Sequence, residues 1–419
     1  MEITMLIEDS KIAIVGLGYV GLPLALEFGK KYQTIGYDLN ERRISELKNN
    51  IDVTLECTTE EIKSSKNITF SFDIKDIENC NVYIVTVPTP ITEFNQPDLG
   101  PLISASRSLG GILKSGDIVI YESTVYPGAT EEVCVPELEK FSGLKYNKDF
   151  YAGYSPERIN PGDKLHRVAN IHKVTSGSTA EVANFVDTLY SSVITAGTHK
   201  TTSIKVAEAS KLIENIQRDV NIALVNELHQ IFGKLGINTR KVIDAASTKW
   251  NFMKLYPGLV GGHCISVDPY YMLHKSSSIG YIPDMIRTAR EVNNGMSDYL
   301  ASDFIEELVK KKIDFAQKKI VILGFAFKEN CPDLRNTKVY NLYLKLTSLG
   351  LDVTIYDPLV DVEEAEHEYS VSVTNKIDNC FDIAFLAVSH DGIIESIEKE
   401  FNFEYIYDFK NSLNINENK

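Results

Sequence analysis

Residues 11–21 read Lys-Ile-Ala-Ile-Val-Gly-Leu-Gly-Tyr-Val-Gly. The stretch begins with a short β-branched run, Lys11–Val15, and continues with three glycines, Gly16, Gly18 and Gly21. An apolar segment of helical length follows the last glycine. A buried strand that turns through glycines directly into a helix is typical of a βαβ unit, so the chain is predicted to open with a parallel sheet.

The spacing of these glycines predicts a dinucleotide site. The first glycine permits a tight turn, the second lets the backbone approach a pyrophosphate, and the third lets the helix pack on the sheet. Asp38 ends the next predicted strand, Thr34–Tyr37. A carboxylate there accepts hydrogen bonds from ribose hydroxyls and repels a 2′-phosphate, which favours NAD over NADP. Arg43, a few residues further on, is a feature that favours NADP.

Strands and helices alternate over the first 200 residues. Further strand-like runs are Val82–Val87, Ile118–Tyr121, Lys173–Thr175 and Val193–Thr195. Helical candidates between them are Leu102–Leu113, Thr130–Lys140 and Thr179–Tyr190. The alternation predicts a Rossmann-like NAD-binding domain over residues 1–200.

The middle of the chain has a different pattern. From Ser203 to Leu235 apolar residues recur at helical spacing, which predicts a helix about 50 Å long at 1.5 Å per residue. So wide an apolar helix surface needs a partner, and we expect a homodimer through this helix. Residues 201–312 are therefore predicted to form a central helical domain, with a loop over Trp250–Tyr271.

A second alternating block begins at Lys319. Its predicted strands are Ile320–Leu323, Val353–Tyr356, Ile383–Val388 and Tyr405–Tyr407. Residues 313–419 are thus expected to form a second Rossmann-like domain. This block has only Gly324 at the equivalent turn, so it is expected to bind something other than a dinucleotide. The predicted fold class is α/β, with two Rossmann-like parallel-sheet domains joined by a central helical domain with a long spine helix.

Composition excludes several classes of function. The chain has 419 residues and a formal net charge of −15, and so acidic a surface argues against nucleic acid or anionic membrane as a partner. Its six cysteines lack the spacing of a metal or redox site, and no metal is expected. With no apolar run of about 18 residues and no signal-like N-terminus, we expect a cytoplasmic protein with reduced thiols.

The most reactive-looking segment is Gly261-Gly-His-Cys-Ile-Ser-Val-Asp268. Cys264 follows two glycines in a loop and is a candidate nucleophile, although a small buried structural residue is the more usual fate of a cysteine. Lys211 and Asn215 lie four residues apart on the long predicted helix, so they share a face with each other. By spacing alone that face is better explained as a solvated stripe.

Seven motifs together carry a family resemblance. They are Gly16–Gly21, Thr86-Val-Pro-Thr-Pro90, Glu122-Ser-Thr-Val125, Ser155-Pro-Glu-Arg158, the segment 207–215, Gly261-Gly-His-Cys264 and the segment 323–335. In this order they resemble the UDP-glucose/GDP-mannose dehydrogenase family over almost the whole chain. The segments 155–162 and 261–269 are similar to the branch that acts on UDP-N-acetylglucosamine or UDP-N-acetylgalactosamine in bacterial surface-polysaccharide (capsule or O-antigen) synthesis.

The resemblance implies a four-electron oxidation of the C6 hydroxyl of a UDP-N-acetylhexosamine to a uronic acid, with NAD accepting hydride in both steps. It assigns Cys264 as the nucleophile that forms a thiohemiacetal and then a thioester. It places Thr124 and Glu157 at a catalytic water. It places Lys211 and Asn215 as hydrogen-bond donors to the alkoxide of the thiohemiacetal. UDP-glucose and UDP-N-acetylmannosamine remain alternative substrates.

The resemblance also implies that the C-terminal domain, residues 313–419, binds the UDP-sugar, and it adds further site residues. Asp268 would partner Lys211 and the catalytic water. The predicted cofactor contacts are Gly16, Gly18, Tyr19, Val20, Gly21, Asp38, Arg43, Val87, Thr89, Thr124 and Arg335. The predicted substrate contacts are Glu157, Arg158, Lys211, Asn215, Tyr256, Gly258, Gly261 and Lys328, and backbone N–H groups of the turn at 261–262 would lie near the substrate phosphates.

Three positions depart from the family pattern: Pro161, Val267 and Tyr256. Pro161 stands where the UDP-glucose enzymes carry a second glutamate, which leaves water activation to Glu157 alone. The other two positions lie near the sugar in the family and leave its identity open.

Other classes of function remain to be weighed. A nucleotide-sugar or NAD sensor would keep the fold without chemistry, but it would not need a nucleophile. A short-chain-type epimerase or reductase uses a Tyr-x-x-x-Lys pair, which occurs here as Tyr271 and Lys275. That pair lies far beyond the glycine motif, outside the first predicted domain, so we favour the dehydrogenase.

Overall fold

The computed structural model describes residues 6–159, 167–377 and 380–413. Pro161 and the end of the motif at 155–162 lie outside these residues. The chain divides into two compact units. The first unit comprises Met1–Glu214 and Tyr270–Tyr281, and the second comprises Asn215–Pro269 and Ile282–Lys419. The three predicted domain ranges stay a prediction.

The first unit contains an eight-stranded sheet. Strands β1–β8 are Lys11–Val15, Gln33–Tyr37, Ile68–Ser71, Val82–Val85, Ile118–Tyr121, Tyr151–Tyr154, Lys173–Gly177 and Thr198–Lys200. Their order is β3-β2-β1-β4-β5-β6-β7-β8. All neighbours are parallel except β6 and β7, which pair antiparallel through Gly153–Gly177 and Tyr154–Ser176.

Helices flank this sheet in the order that the alternation predicts. Helices α1–α6 are Gly21–Gly29, Glu41–Lys48, Thr59–Ser64, Gly100–Gly110, Val135–Ser142 and Ala180–Ser191. A π-helical turn, Thr130–Cys134, precedes α5, so the helix predicted over Thr130–Lys140 is in two parts. In β1, residues 12–14 are fully buried. Burial on both faces explains why this parallel strand is a continuous apolar run.

The strand predicted at Val193–Thr195 is wrong. Val193 and Ile194 lie in the turn after α6, and the backbone N–H groups of both donate to the carbonyl of Tyr190. Both side chains are buried in the core of the first unit. Their apolar character therefore serves packing at a helix end, and the edge strand β8 follows at the polar residues Thr198–Lys200.

The long predicted helix is present as α7, Ile204–Leu235. The remaining helices α8–α13 are Thr239–Ala246, Asp268–Ser278, Asp284–Lys310, Val339–Ser348, Val362–Tyr369 and Asp391–Lys399. Because α9 begins at Asp268, the predicted loop over Trp250–Tyr271 ends earlier than expected. Among the described residues, none of the helices has the length and apolarity that a membrane crossing requires.

The second unit contains a five-stranded parallel sheet. Strands β9–β13 are Lys319–Leu323, Asp352–Tyr356, Val373–Thr374, Ile383–Leu386 and Tyr405–Tyr407. Their order is β11-β10-β9-β12-β13. The predicted fold class is thus confirmed as two α/β sheets and a long helix, with the single antiparallel pair as an unpredicted detail.

Candidate active site

The glycine turn after β1 is shaped for a close backbone approach. Gly16 has φ +98°, and a Cβ there would lie 3.2 Å from the Thr86 carbonyl oxygen. A Cβ at Gly21 would lie 1.8 Å from the Gly16 carbonyl oxygen, so only glycine fits there. Around Gly18 a Cβ would meet nothing within 4 Å. The turn is closed by its outer glycines and open at the middle one, where a pyrophosphate would approach.

The turn lies where the order of the strands reverses, since β1 stands between β2 and β4. In open parallel sheets, ligands bind in the crevice at this switch point, beyond the carboxyl ends of the strands. Val87 and Thr89 follow β4, and Thr124 follows β5. Ser123 Oγ donates to the carbonyl of Val87 at 2.6 Å. Tyr271 OH donates to the carbonyl of Thr89 at 3.0 Å.

Asp38 is held at the end of β2 and keeps part of its carboxylate open. Its Oδ2 accepts from the backbone N–H of Leu17 at 2.8 Å, and its Oδ1 accepts from that of Asn40 at 2.9 Å. The residue is half-buried, and each carboxylate oxygen has a further lone pair. Tyr19 and Val20, at the start of α1, are also half-buried. The arrangement fits an NAD ribose.

Arg43 points into the protein. Its Nε donates to the Leu17 carbonyl at 3.0 Å, and a terminal nitrogen lies 2.7 Å from Asp52 Oδ1. The side chain is buried. Its positive charge is therefore matched by Asp52, which weakens the argument for NADP that the sequence allowed.

Glu157 and Arg158 follow β6. A terminal nitrogen of Arg158 lies 2.7 Å from Glu214 Oε1, and the other donates to the His172 carbonyl at 2.6 Å. The Glu157 carboxylate lies 3.8 Å from Nζ of Lys173, a residue to which the sequence drew no attention. Arg158 is thus held by an acidic residue of α7, and Glu157 is close to a buried cation.

Lys211 lies on α7 and is buried. Glu208, one turn earlier, accepts from the backbone N–H groups of Gly128 and of Thr130, the latter at 2.9 Å. Burial raises the pKa of Glu208 to about 7. The helix face around Lys211 is therefore not a solvated stripe, and the interpretation favoured by spacing alone is wrong.

In the second unit, Cys264 precedes α9. Its carbonyl accepts from the backbone N–H groups of Val267 at 3.0 Å and of Asp268 at 2.8 Å, which closes one turn directly before that helix. The residue is half-buried. Asp268 is buried, and its Oδ2 accepts from Asn215 Nδ2 at 2.6 Å. The structure therefore brings three predicted catalytic residues, Asn215, Cys264 and Asp268, into one local cluster.

The two glycines before Cys264 pack against the loop after β9. A Cβ at Gly261 would lie 2.6 Å from the Asn336 carbonyl oxygen. Gly262 has φ +84°, and its N–H donates to the Arg335 carbonyl at 3.2 Å. The N–H of Gly262 is therefore engaged within the protein, which limits the prediction that this turn offers N–H groups to the substrate phosphates.

The loop before the glycines is also anchored. Asn226 on α7 bonds both sides of the Gly258 backbone: its Nδ2 donates to the carbonyl at 3.0 Å, and its Oδ1 accepts from the N–H at 2.9 Å. Tyr256 OH donates to Asp244 Oδ1 at 3.2 Å, and the Arg240 guanidinium lies 4.5 Å from the ring centroid. Tyr256 is thus positioned by charges that a sequence motif does not contain.

Lys328 and Arg335 lie in the loop that follows β9. Lys328 Nζ is 5.3 Å from the centre of the Phe327 ring. Arg335 forms a double contact with Asp333, with Nε 2.9 Å from Oδ1 and a terminal nitrogen 2.5 Å from Oδ2. The pKa of Asp333 is lowered, because the bonds from Arg335 outweigh the opposing effect of burial. Arg335 is thus held near Asp333 in this unit.

The predicted site residues fall in both units. Asp38, Thr124, Glu157 and Lys211 belong to the first, whereas Asn215, Cys264 and Asp268 belong to the second. Lys173 and Asn226 are contacts that sequence reasoning missed. The signal for Lys173 was a lysine at the head of a predicted strand, Lys173–Thr175. Within the described part of the chain, no group of three or more His, Cys, Asp and Glu side chains could hold a metal ion.

Comparison with known proteins identifies the relatives of this chain. The profiles of one family, the UDP-glucose/GDP-mannose dehydrogenase family, match residues 10–194 as its NAD binding domain, 205–295 as its central domain and 321–415 as its UDP binding domain. A UDP-N-acetyl-D-glucosamine 6-dehydrogenase of Pseudomonas aeruginosa is 56% identical over 96% of this chain and 97% of its own. Another of that name, from Salmonella typhi, is 54% identical over 92% of this chain and 91% of its own.

A solved structure supports the same conclusion. The UDP-D-ManNAc dehydrogenase from Pyrococcus horikoshii superposes with a TM-score of 0.84 at 31% identity, over 96% of this chain and 95% of that one. The fold therefore extends through both units and agrees with the sequence matches. The chain belongs to the UDP-glucose/GDP-mannose dehydrogenase family, and its N-terminal part is the NAD binding domain of that family.

Proposed function

We propose that this protein is an NAD-dependent UDP-N-acetyl-D-glucosamine 6-dehydrogenase. Two relatives of that name are 56% and 54% identical to it over more than nine-tenths of the chain, whereas the UDP-D-ManNAc enzyme is 31% identical. The product would be a UDP-N-acetylglucosaminuronic acid, a precursor for a surface polysaccharide. The observation that carries the chemistry is the cluster of Cys264, Asp268 and Asn215.

In the proposed reaction, the glycine turn at residues 16–21 and Asp38 would hold NAD, which would supply the hydride acceptor for both oxidations at C6 of the sugar. The Cys264 thiolate adds to the aldehyde carbon, and the resulting alkoxide needs hydrogen-bond donors. Asn215 and Lys211 would be those donors. The Asp268 carboxylate orients the Asn215 amide through its 2.6 Å bond. Thr124 and Glu157 would hold a water through which the proton of the C6 hydroxyl passes to the Glu157 carboxylate in the first oxidation. In the last step a water would attack the thioester, give a proton to Glu157 and release the Cys264 thiolate.

The central experiment measures NADH release against four sugars: UDP-GlcNAc, UDP-GalNAc, UDP-ManNAc and UDP-glucose. We expect two NADH per sugar consumed, with kcat/KM highest for UDP-GlcNAc. One NADH per sugar, or activity confined to UDP-glucose, would contradict the proposal. A preference for UDP-GalNAc or UDP-ManNAc would keep the reaction and change the substrate.

Cys264→Ser tests the nucleophile separately. A serine hydroxyl is a far weaker nucleophile than a thiolate near neutral pH, so turnover should fall at least about a hundredfold. NAD binding, measured by fluorescence quenching, should be unchanged. Cys331→Ser is the matched control, because Cys331 is a buried cysteine of the same unit outside the proposed cluster. A sensor without chemistry would show no turnover to lose.

We also propose a homodimer through α7. Five apolar residues of this helix are exposed at spacings that place them on one face: Val206, Ile213, Leu224, Ile231 and Leu235. Light scattering after size exclusion should give twice the chain mass of 47.0 kDa. Leu224→Glu should shift the mass toward the monomer, whereas Arg218→Glu, at an exposed position on another face of the same helix, should not.

A further inference from the structure

A cluster of charged side chains lies beneath Glu157 in the first unit. Lys173, at the start of β7, places its Nζ 2.5 Å from Glu122 Oε2 and 3.8 Å from Glu157 Oε2. The exposed side-chain fractions are 0% for Glu122, 5% for Lys173 and 13% for Glu157. One buried cation is therefore shared between a buried carboxylate and a carboxylate at the edge of the site.

The buried half of the cluster is anchored from behind. Tyr190, at the end of α6, donates its hydroxyl to Glu122 Oε1, so both oxygens of Glu122 are engaged. Lys173 Nζ also lies 5.7 Å from the centre of the Tyr190 ring. Burial raises the pKa of Glu122, and the Lys173 ammonium opposes that effect. Glu122 and Tyr190 together fix the place of the ammonium.

The carboxylate of Glu157 is held at both oxygens. Its Oε1 accepts from the backbone N–H of Ile159, and its Oε2 faces Lys173. The backbone N–H of Glu157 donates to the Glu122 carbonyl at 3.4 Å. The side chain can therefore rotate only by leaving the cation.

An ion pair of this kind is a poor way to add stability. Removing two charges from water costs several kcal/mol for each ion, and apolar side chains of similar volume often replace a buried pair without loss. A positioned ammonium does something that apolar side chains cannot: it fixes a carboxylate in direction and keeps it ionised.

We propose that Lys173 is a positioning residue for Glu157: the Lys173 ammonium, anchored by Glu122 and Tyr190, aims the Glu157 carboxylate at the catalytic water. This inference rests on the proposed function, in which Glu157 holds that water.

The groups that face Glu157 come from several elements. They are Lys173 from β7, Glu122 after β5, and Tyr190 from α6 behind Glu122. The adjacent Arg158 is paired with Glu214 of α7. Without the Lys173 ammonium, Glu157 would face the Glu122 carboxylate across the gap, and a like charge favours the protonated form of a carboxyl group.

The test compares Lys173→Met with Lys173→Arg in the full-length enzyme, with UDP-GlcNAc and NAD. In Lys173→Met we expect kcat to fall at least about tenfold, since a mispositioned acid–base group loses part of its usual 10²–10⁴-fold contribution. The KM for UDP-GlcNAc should stay within about twofold, and the acid limb of the kcat–pH profile should move to higher pH. Lys173→Arg keeps the cation and should keep the acid limb in place.

A double variant separates positioning from folding. Lys173→Met alone leaves Glu122 as an uncompensated buried charge and should destabilise the fold. In Lys173→Met/Glu122→Gln neither charge of the pair remains, so the urea unfolding midpoint should recover toward wild type. If Lys173 positions Glu157, kcat stays low, because the ammonium that aims the carboxylate is still missing. If kcat recovers together with stability, Lys173 serves only to neutralise Glu122, and the inference is overturned.

Lys145→Met is the control. It removes an exposed lysine of the same unit that lies 3.8 Å from Glu139 and outside the cluster, so neither kcat nor the acid limb should move. The wild-type stoichiometry keeps the two proposals distinct. If the wild type releases no NADH from any of the four sugars, the proposed function fails. If the wild type is active and Lys173→Met has an unchanged pH profile, the inference alone fails.

Discussion

The two units contain the same glycine turn. In the first unit, Gly16 ends β1 with φ +98°, and its N–H donates at 2.8 Å to the carbonyl of Tyr37, the last residue of β2. In the second unit, Gly324 follows β9 with φ +88°, and its N–H donates at 2.8 Å to the carbonyl of Tyr356, the last residue of β10. In both, the tyrosine is followed by an aspartate.

The two aspartates are used differently. Asp38 is half-buried and accepts a backbone N–H at each oxygen, which leaves lone pairs for a ligand. Asp357 is fully buried, and a single oxygen, Oδ2, accepts both from Phe325 N at 2.6 Å and from His390 Nε2 at 3.0 Å. The carboxylate that could bind a ribose in the first unit is a structural anchor in the second.

The residues inside the turns differ in the same way. Gly18 lies in open space, whereas Phe325 and Ala326, directly after Gly324, are fully buried. The second turn has side chains where the first has room for a pyrophosphate. A shared backbone turn therefore does not imply a shared ligand, and the sequence expectation that the second block binds something other than a dinucleotide stays consistent with the packing.

The largest expected effect concerns Asp357. Asp357→Asn replaces an acceptor oxygen with a donor against buried N–H groups, so the free energy of unfolding should fall by about 3 kcal/mol. Asp38→Asn, a half-buried counterpart, should cost about 1 kcal/mol of stability but weaken NAD binding several-fold. Urea unfolding and NAD titration measure both. Equal losses of stability would show that the two aspartates have the same role.

Substitutions at Gly18 and Gly324 distinguish a glycine that leaves room for a ligand from one that relieves backbone strain. Gly18→Ala should leave the melting temperature unchanged and weaken NAD at least about tenfold, because its methyl group would occupy the path of the pyrophosphate. Gly324→Ala should lower stability by about 2 kcal/mol, since alanine is strained at φ +88° and its Cβ would lie 2.5 Å from the Val388 carbonyl oxygen. Unchanged NAD affinity in Gly18→Ala would break the comparison.

Acid should remove the contribution of Asp357. Burial alone would raise its pKa, but the hydrogen bonds from His390 and from the Phe325 and Ala326 amides outweigh burial and lower it. A lowered folded-state pKa gives stability that is present above the ordinary value of about 3.9 and is lost as pH falls through the lowered value. The difference in unfolding free energy between wild type and Asp357→Asn should therefore be full near neutral pH and shrink below about pH 4. If wild type and Asp357→Asn differ by the same unfolding free energy near neutral pH and below about pH 4, the lowered pKa of Asp357 is not the cause.

The smallest expected effect concerns cofactor choice. Because the Arg43 guanidinium is buried against Leu17 and Asp52, Arg43→Lys should change the NAD/NADP ratio of kcat/KM by less than about twofold. Its stability should fall by about 1 kcal/mol through loss of the bond to the Leu17 carbonyl. A selective fall in NADP activity would show that Arg43 reaches a 2′-phosphate.

Local patterns predicted the glycine turn, most strands and the long helix, because each rests on backbone needs or on a periodicity that short segments carry. The same reasoning failed at Val193–Thr195, where apolar residues pack in a turn and do not form a strand. It also favoured a solvated stripe around Lys211, which is buried. Periodicity assigns apolar residues to a buried face and polar residues to solvent, and it does not report that another element of the fold covers a polar face.

The candidate site was predictable to a different extent. The family resemblance supplied Cys264, Asp268 and Asn215, and the structure brings these three together. No local pattern joins Lys173 to Glu122, which are 51 residues apart, or Asn226 to Gly258, which are 32 apart. Such pairs form only when strands and helices are packed, so they are properties of the tertiary structure.

By itself, the sequence determined which backbone positions must be glycine, where the apolar periods run, and which family the motifs resemble. Tertiary structure decided which partners each charged group has: Arg43 turns inward to Asp52, Asp357 accepts from the backbone of the loop after β9, and Lys173 lies between two carboxylates. The physical reason is the distance along the chain over which each effect acts. Dihedral preference and hydrophobic period act over a few residues, whereas the energy of a charged group depends on its burial and partners, which the folded chain brings from distant positions.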